Sequence, residues 1–180
     1  MDSVRIQKES SAALEKLLSL PQLRAAQRLT AFASMEKEIQ TNNLIVSLLS
    51  DGKHVLLPRV LGRRSMVFRE VSISSSPEPS LVAGGQTCAS PAAMLAATAS
   101  PTTPISSADM ATLLDLETSK WGIREPRLPT VDSPAEHTEA LCQARAAAES
   151  CIDVVLVPCV AFGRGGSRLG HGGGFYGESI

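Results

Sequence analysis

Seven glycines, Gly163, Gly165, Gly166, Gly170, Gly172, Gly173 and Gly174, surround Arg168 and His171 near the end of this chain. Glycine permits positive φ and close approach of backbone to ligand, so exposed N–H groups there can line a concavity for phosphate oxygens. Arg168 and His171 are its candidate cations. A flexible turn has the same composition, and the segment alone leaves both readings open. The apolar run at 154–157 reads as a buried strand, opened by Asp153, that feeds the glycine segment.

The 180 residues, 43% of them hydrophobic, suffice for one core and predict a single domain over 1–180. With 17 Lys and Arg against 18 Asp and Glu, there is no long-range attraction for nucleic acid or an anionic membrane. A phosphate ligand has to be held locally. Cys88, Cys142, Cys151 and Cys159 form no Cys-x-x-Cys pair, and His54, His137 and His171 stand at no metal spacing. They read as reduced thiols of an intracellular protein, and no residue is assigned as a metal ligand. No apolar run approaches the roughly 20 residues of a membrane span, and the start MDSVRIQKES has no signal core. The cytoplasm is the expected address.

Elements that position these residues follow from periodicity. Residues 4–20 predict an amphipathic helix ended by Pro21, 22–27 a helical turn, and 28–33 a core strand. A polar turn at 34–38 follows. Thr41 or Asn42 is the expected N-cap of a helix burying Leu44, Ile45, Leu48 and Leu49, stopped by Asp51-Gly52. Residues 54–58 predict a second strand whose end Pro58 fixes. Helix, strand, helix, strand argues for a parallel sheet whose ligands gather beyond the carboxyl ends of the strands. Residues 66–73 read as an edge strand. Residues 72–107 carry one charge, Glu78, and no aromatic residue, and predict a disordered insertion. Beyond it, 109–119 is weakly helical, Trp121 breaks the pattern, and Ser133 with Glu136 caps a helix at 135–151.

Separate stretches then agree. Pro158-Cys159, Phe162-Gly163, Gly166, Arg168-Leu169-Gly170 and Gly172-Gly173-Gly174-Phe175-Tyr176-Gly177 stand in the order and spacing of one signature. Glu38-Ile39-Gln40-Thr41, Leu57-Pro58-Arg59 and Trp121-Gly122-Ile123-Arg124-Glu125-Pro126 match three further segments of the same family. The chain resembles the 5-formyltetrahydrofolate cyclo-ligases, also called methenyltetrahydrofolate synthetases. The resemblance implies a three-layer α/β fold, with a mostly parallel sheet and helices on both faces, incomplete at the C-terminal end.

It also implies ATP-dependent cyclisation of 5-formyltetrahydrofolate to 5,10-methenyltetrahydrofolate with release of ADP and phosphate, ATP and Mg²⁺ being the cofactors. Glu38 would contact folate, together with His171, Gly172, Gly173, Gly174 and Phe175. ATP would lie on Arg168, Leu169, Gly170, His171, Gly172, Gly173, Gly174, Phe175 and Tyr176. Trp121 would line the folate pocket or lie in the core. The expected partners are small molecules, with no nucleic acid or membrane, and a monomer is expected. Gly163 and Gly177 stand where the family's pattern has aspartate, and the family's first helix and last strands are expected to be missing. A non-catalytic remnant that binds folate, a nucleotide or a protein partner through an open sheet edge is the alternative.

Overall fold

The computed structural model describes residues 3–62, 65–73, 104–128 and 152–179. Helix α1 (Ser3–Ser19) turns Ile6, Ser10 and Leu14 inward at four-residue spacing and ends before Pro21. Proline opens the short α2 (Pro21–Ala25), and strand β1 (Arg28–Thr30) follows. Helix α3 (Asn42–Ser50) buries Leu44, Ile45, Val46 and Leu48, and Gly52 reverses the chain at φ +75°. Thr41 stands at the N-cap position, but its hydroxyl donates to the Phe32 carbonyl oxygen and does not cap the helix.

Strand β2 (His54–Gly62) runs through Pro58, correcting the expected stop there. Its pairing with β1 ends at Leu56, so Pro58 lies where one side of β2 has no strand to receive an N–H. Strand β3 (Ser65–Val71) pairs antiparallel with β2 and, among the described residues, is an edge, as its alternation predicts. The expected insertion falls largely on 74–103, outside the described residues. Its two ends are described, and Ile73 and Ile105 pack against the core. Helix α4 (Ser107–Leu113) starts inside the predicted insertion, capped by Ser106, whose Oγ accepts from the Asp109 N–H at 3.1 Å. After it, β4 (Leu116–Thr118) and β5 (Arg124–Pro126) form a hairpin where 109–119 suggested only helix. The helix predicted at 135–151 lies outside the described residues.

Strand β6 (Val154–Val155) pairs parallel with β1, giving the sheet order β3-β2-β1-β6. Among the described residues, the expected buried strand is therefore a half-buried edge strand. Asp153 accepts from the N–H groups of Gln27 and Arg28 at 2.8 and 2.9 Å, locking β6 onto β1. Strands β7 (Ala161–Phe162) and β8 (Arg168–Leu169) form a separate hairpin, and α5 (Phe175–Ser179) follows.

Two of the three pairings in the main sheet are parallel. One face carries Leu29, Val55, Leu57 and Val71 against α1, α3 and α4. The other carries Leu56, Met66 and Phe68 against Phe175 and Tyr176 of α5. Helices thus lie on both faces, the expected α/β arrangement. Among the described residues, no helix is long and apolar enough to cross a membrane.

Candidate functional site

Strands β1 and β6 are parallel neighbours, so the segments leaving their carboxyl ends emerge at one edge of the sheet. After β1 the chain makes the polar turn at 34–41. Ser34 Oγ donates to the Ile39 carbonyl oxygen at 2.6 Å and accepts from the Thr41 N–H at 2.9 Å, closing the turn from within. Glu38 folds back on it: its N–H donates to the Met35 carbonyl oxygen at 3.1 Å, and its Oε2 accepts from the Met35 N–H at 3.0 Å. One carboxylate oxygen is thereby committed, and Oε1 faces outward. Its neighbour is His171 Nε2 at 3.7 Å.

After β6 the glycine segment divides into two parts with different roles. Gly163 to Ser167 turn the β7–β8 hairpin, with Gly163 N–H on the Ser167 carbonyl oxygen at 2.8 Å and Gly166 at φ +84°. This half is a turn. Beyond β8, Gly172 and Gly174 take φ +87° and +73°, conformations that side chains resist, and bring the chain into α5. A β-carbon on Gly173 would stand 2.7 Å from the Phe175 ring, so glycine there lets the ring lie against the backbone. The same applies more mildly to Gly170 beside the Arg168 guanidinium.

Arg168 Nη1 donates to the Pro158 carbonyl oxygen at 3.1 Å, and its guanidinium lies 5.9 Å from the centre of the Tyr176 ring. Tyr176 rests on Phe68 at 6.2 Å between ring centres. Its hydroxyl is buried and has no hydrogen-bond partner among the described residues. Burial raises the pKa of this phenol, the Glu38 carboxylate raises it further, and the Arg168 cation opposes both. The hydroxyl therefore senses both charges and stays protonated, an unused donor where a ligand bond would be strong.

The structure thus brings Glu38, His171, Arg168 and Tyr176 together, with Phe175 in the wall against Leu56 and Phe68. Leu169 is exposed, and its carbonyl oxygen accepts from the Val160 N–H at 2.8 Å within the hairpin. Trp121 is on the β4–β5 turn, 66% exposed, with Lys120 Nζ 5.4 Å from its ring, which rules out the core reading. Sequence reasoning missed the supports of Glu38, namely Met35, Gln40 and Ser10. The available signal was a serine in the middle of an apolar helix stripe.

Among the described residues, no group of three or more His, Cys, Asp or Glu is arranged to hold a metal ion. At Gly177 a side chain would meet nothing within 4 Å, whereas at Gly163 a β-carbon would stand 2.5 Å from Ser167 Oγ. The residues present do not make a Mg²⁺ site at these two positions.

The model of the 5-formyltetrahydrofolate cyclo-ligase family matches residues 1–180. The chain is 25% identical over 171 residues to a protein of Caenorhabditis elegans named "Probable 5-formyltetrahydrofolate cyclo-ligase", covering 94% of this chain and 60% of that one. A Schizosaccharomyces pombe protein of the same name is 22% identical over 176 residues, covering 97% of this chain and 62% of that one. The chain therefore spans about three fifths of the length of these curated relatives. The NMR structure of Aquifex aeolicus 5,10-methenyltetrahydrofolate synthetase matches with TM-score 0.55 and 19% identity over 99% of this chain and 63% of that one, a likeness of fold.

Proposed function

Because the chain belongs to the 5-formyltetrahydrofolate cyclo-ligase family, we propose that it binds 5-formyltetrahydrofolate and ATP and closes the folate ring to 5,10-methenyltetrahydrofolate, releasing ADP and phosphate. A formamide oxygen is a poor leaving group. In the proposed reaction it attacks the terminal phosphorus of ATP, ADP departs, and an imidate-like phosphate forms. The neighbouring folate nitrogen then attacks the formyl carbon and loses its proton, and phosphate leaves with the oxygen. Such chemistry asks the protein for alignment and charge compensation more than for covalent participation.

Glu38 Oε1 is the acceptor for the donor edge of the pterin, and Phe175 walls the same pocket. Arg168 meets the phosphates with its fork of donors. His171, 3.7 Å from Glu38 Oε1, contacts both ligands, and the N–H groups along Gly170, Gly172, Gly173 and Gly174 line the nucleotide side. The observation that carries this reading is the buried hydroxyl of Tyr176, unpaired among the described residues and set under the influence of both Glu38 and Arg168. Mg²⁺ belongs to the family's chemistry, but no step is assigned to it, because the described residues do not form its site. A cytoplasmic monomer is part of the same proposal.

The purified chain, given 5-formyltetrahydrofolate and MgATP, should form the methenyl product, followed by its near-ultraviolet absorbance. Turnover no faster than that of a Glu38→Ala variant overturns the enzymatic reading. Gly177 and Gly163 favour a second reading, a binding protein without turnover. Calorimetric binding of both ligands in the absence of product would support it.

A further inference from the structure

Ser10 interrupts the apolar stripe of α1, between Ile6 and Leu14, and all three are buried. A buried hydroxyl is unfavourable unless it is bonded, and alanine is the better helix former at such a place. Packing alone does not explain a serine there. Its Oγ donates to the Ile6 carbonyl oxygen at 2.6 Å, which uses the hydroxyl's one proton and leaves a lone pair for another element. That lone pair accepts the backbone N–H of Gln40 at 2.8 Å. The side-chain amide of Gln40 in turn donates one proton to the Met35 carbonyl oxygen at 3.0 Å and the other to that of Glu38 at 2.8 Å. Met35, so held, gives its own N–H to Glu38 Oε2 at 3.0 Å. The chain of bonds begins in α1 and ends on the carboxylate.

We propose that Ser10 and Gln40 are positioning residues for Glu38: α1 fixes Gln40 through Ser10, and Gln40 fixes the turn that leaves Glu38 Oε1 as the outward acceptor. The inference rests on the reading of Glu38 as a folate contact. Without the Ser10 bond, the Gln40 N–H is left without this partner, and the turn gains freedom that a ligand would have to remove on binding.

The test is calorimetric titration of 5-formyltetrahydrofolate, and separately of ATP, into wild type, Ser10→Ala, Ser10→Thr, Gln40→Ala, Glu38→Gln and the Ser10→Ala/Glu38→Gln double variant. Ser10→Ala should weaken folate binding about three- to tenfold, the worth of one hydrogen bond to a part-buried N–H, and leave ATP binding unchanged. Ser10→Thr keeps the hydroxyl and should bind folate as wild type does. Gln40→Ala leaves α1 intact and should reproduce the Ser10→Ala result, which keeps the inference testable if Ser10→Ala does not fold. In the Glu38→Gln background the Ser10 substitution should have no further effect, because it acts through that carboxylate. An equal loss for ATP, or a loss that adds in full to that of Glu38→Gln, assigns Ser10 a general structural role and overturns the inference. Loss in Glu38→Gln with none in Ser10→Ala overturns it alone and leaves the reading of Glu38 standing. An unchanged affinity in Glu38→Gln overturns both.

Discussion

His171 Nε2 lies 3.7 Å from Glu38 Oε1, so the segment leaving β6 and the turn leaving β1 meet through one imidazole and one carboxylate. The histidine side chain is 67% exposed and the glutamate 22%. Pairs this open to water contribute about 0–1 kcal/mol. His171→Ala should therefore shift thermal unfolding by less than about 4 °C, while Glu38→Ala should weaken folate binding by about tenfold or more. A larger loss of folate affinity in His171→Ala than in Glu38→Ala would reverse this ranking.

Tyr176→Phe separates stability from function. The hydroxyl is buried without a partner among the described residues, so its removal should leave the ligand-free protein as stable as before or about 1 kcal/mol more stable. Ligand affinity should fall in the same variant. Urea unfolding and calorimetry together read the two signs, and a drop in stability would show that the hydroxyl already has a bond in the free protein.

Asp153 sets an acid limit on the sheet. Backbone N–H groups of Arg28 and then Gln27 hold its pKa below the ordinary 3.8. A carboxylate depressed in the folded state contributes stability that is fully present above its unfolded value and is lost as pH falls through the folded one. Asp153→Asn should thus be less stable than wild type near neutral pH, with the gap closing as pH falls below 3.8. The urea midpoint measured against pH checks this, and parallel acid limbs in the two proteins would refute it.

Among the described residues, Arg59 is the more buried of two counter-ions of the β4–β5 hairpin, the other being Arg127, whose Nη1 lies 3.5 Å from Glu117 Oε2. Glu117 and Glu125 stand directly opposite each other in the register, an arrangement of like charges that opposes pairing. Arg59 Nη1 bonds Glu117 Oε1 and lies 3.5 Å from Glu125 Oε2. Burial raises the Glu125 pKa, and the Arg59 charge is the main opposing influence. Arg59→Met should cost about 3 kcal/mol, and adding Glu125→Gln should recover part of it. The sole tryptophan, Trp121, on the turn of this hairpin, is the fluorescent reporter. No change in its emission in Arg59→Met would show that the hairpin docks without the arginine.

Half of the fold is legible in the residues because α1, β1, α3 and β2 alternate cleanly between helical spacing and short apolar runs. Pro58 misled because its effect depends on whether a neighbour needs its N–H, and β1 stops before it. The β4–β5 hairpin was invisible for a different reason: three-residue strands rich in charge have no periodicity, and the partner that makes them possible, Arg59, is 66 positions from Glu125. At the site, residue types and motif order pointed to Glu38 and to Arg168 through Tyr176. The division of the glycine segment into a hairpin turn and a helix approach was not legible, nor was the support of Glu38 by Gln40, since both depend on backbone directions that one-dimensional spacing does not carry.

The place of β1 in the sheet also bears on how the molecule assembles. Its partner on one side, β2, is reached by a short excursion, and β2 and β3 are adjacent in the chain, whereas its bond to Asp153 joins positions 125 apart. Local pairings close first, because a longer loop has more entropy to lose. The β1–β2–β3 half, bearing Glu38, should form early and receive β6 late, bringing Arg168 and Tyr176 with it. Each doubling of the chain length between β3 and β6 adds only about 0.6 kcal/mol to the closure, so an insertion there should slow completion of the site by no more than about threefold and lower the stability by about the same free energy, a pair of values that refolding and equilibrium unfolding measure together.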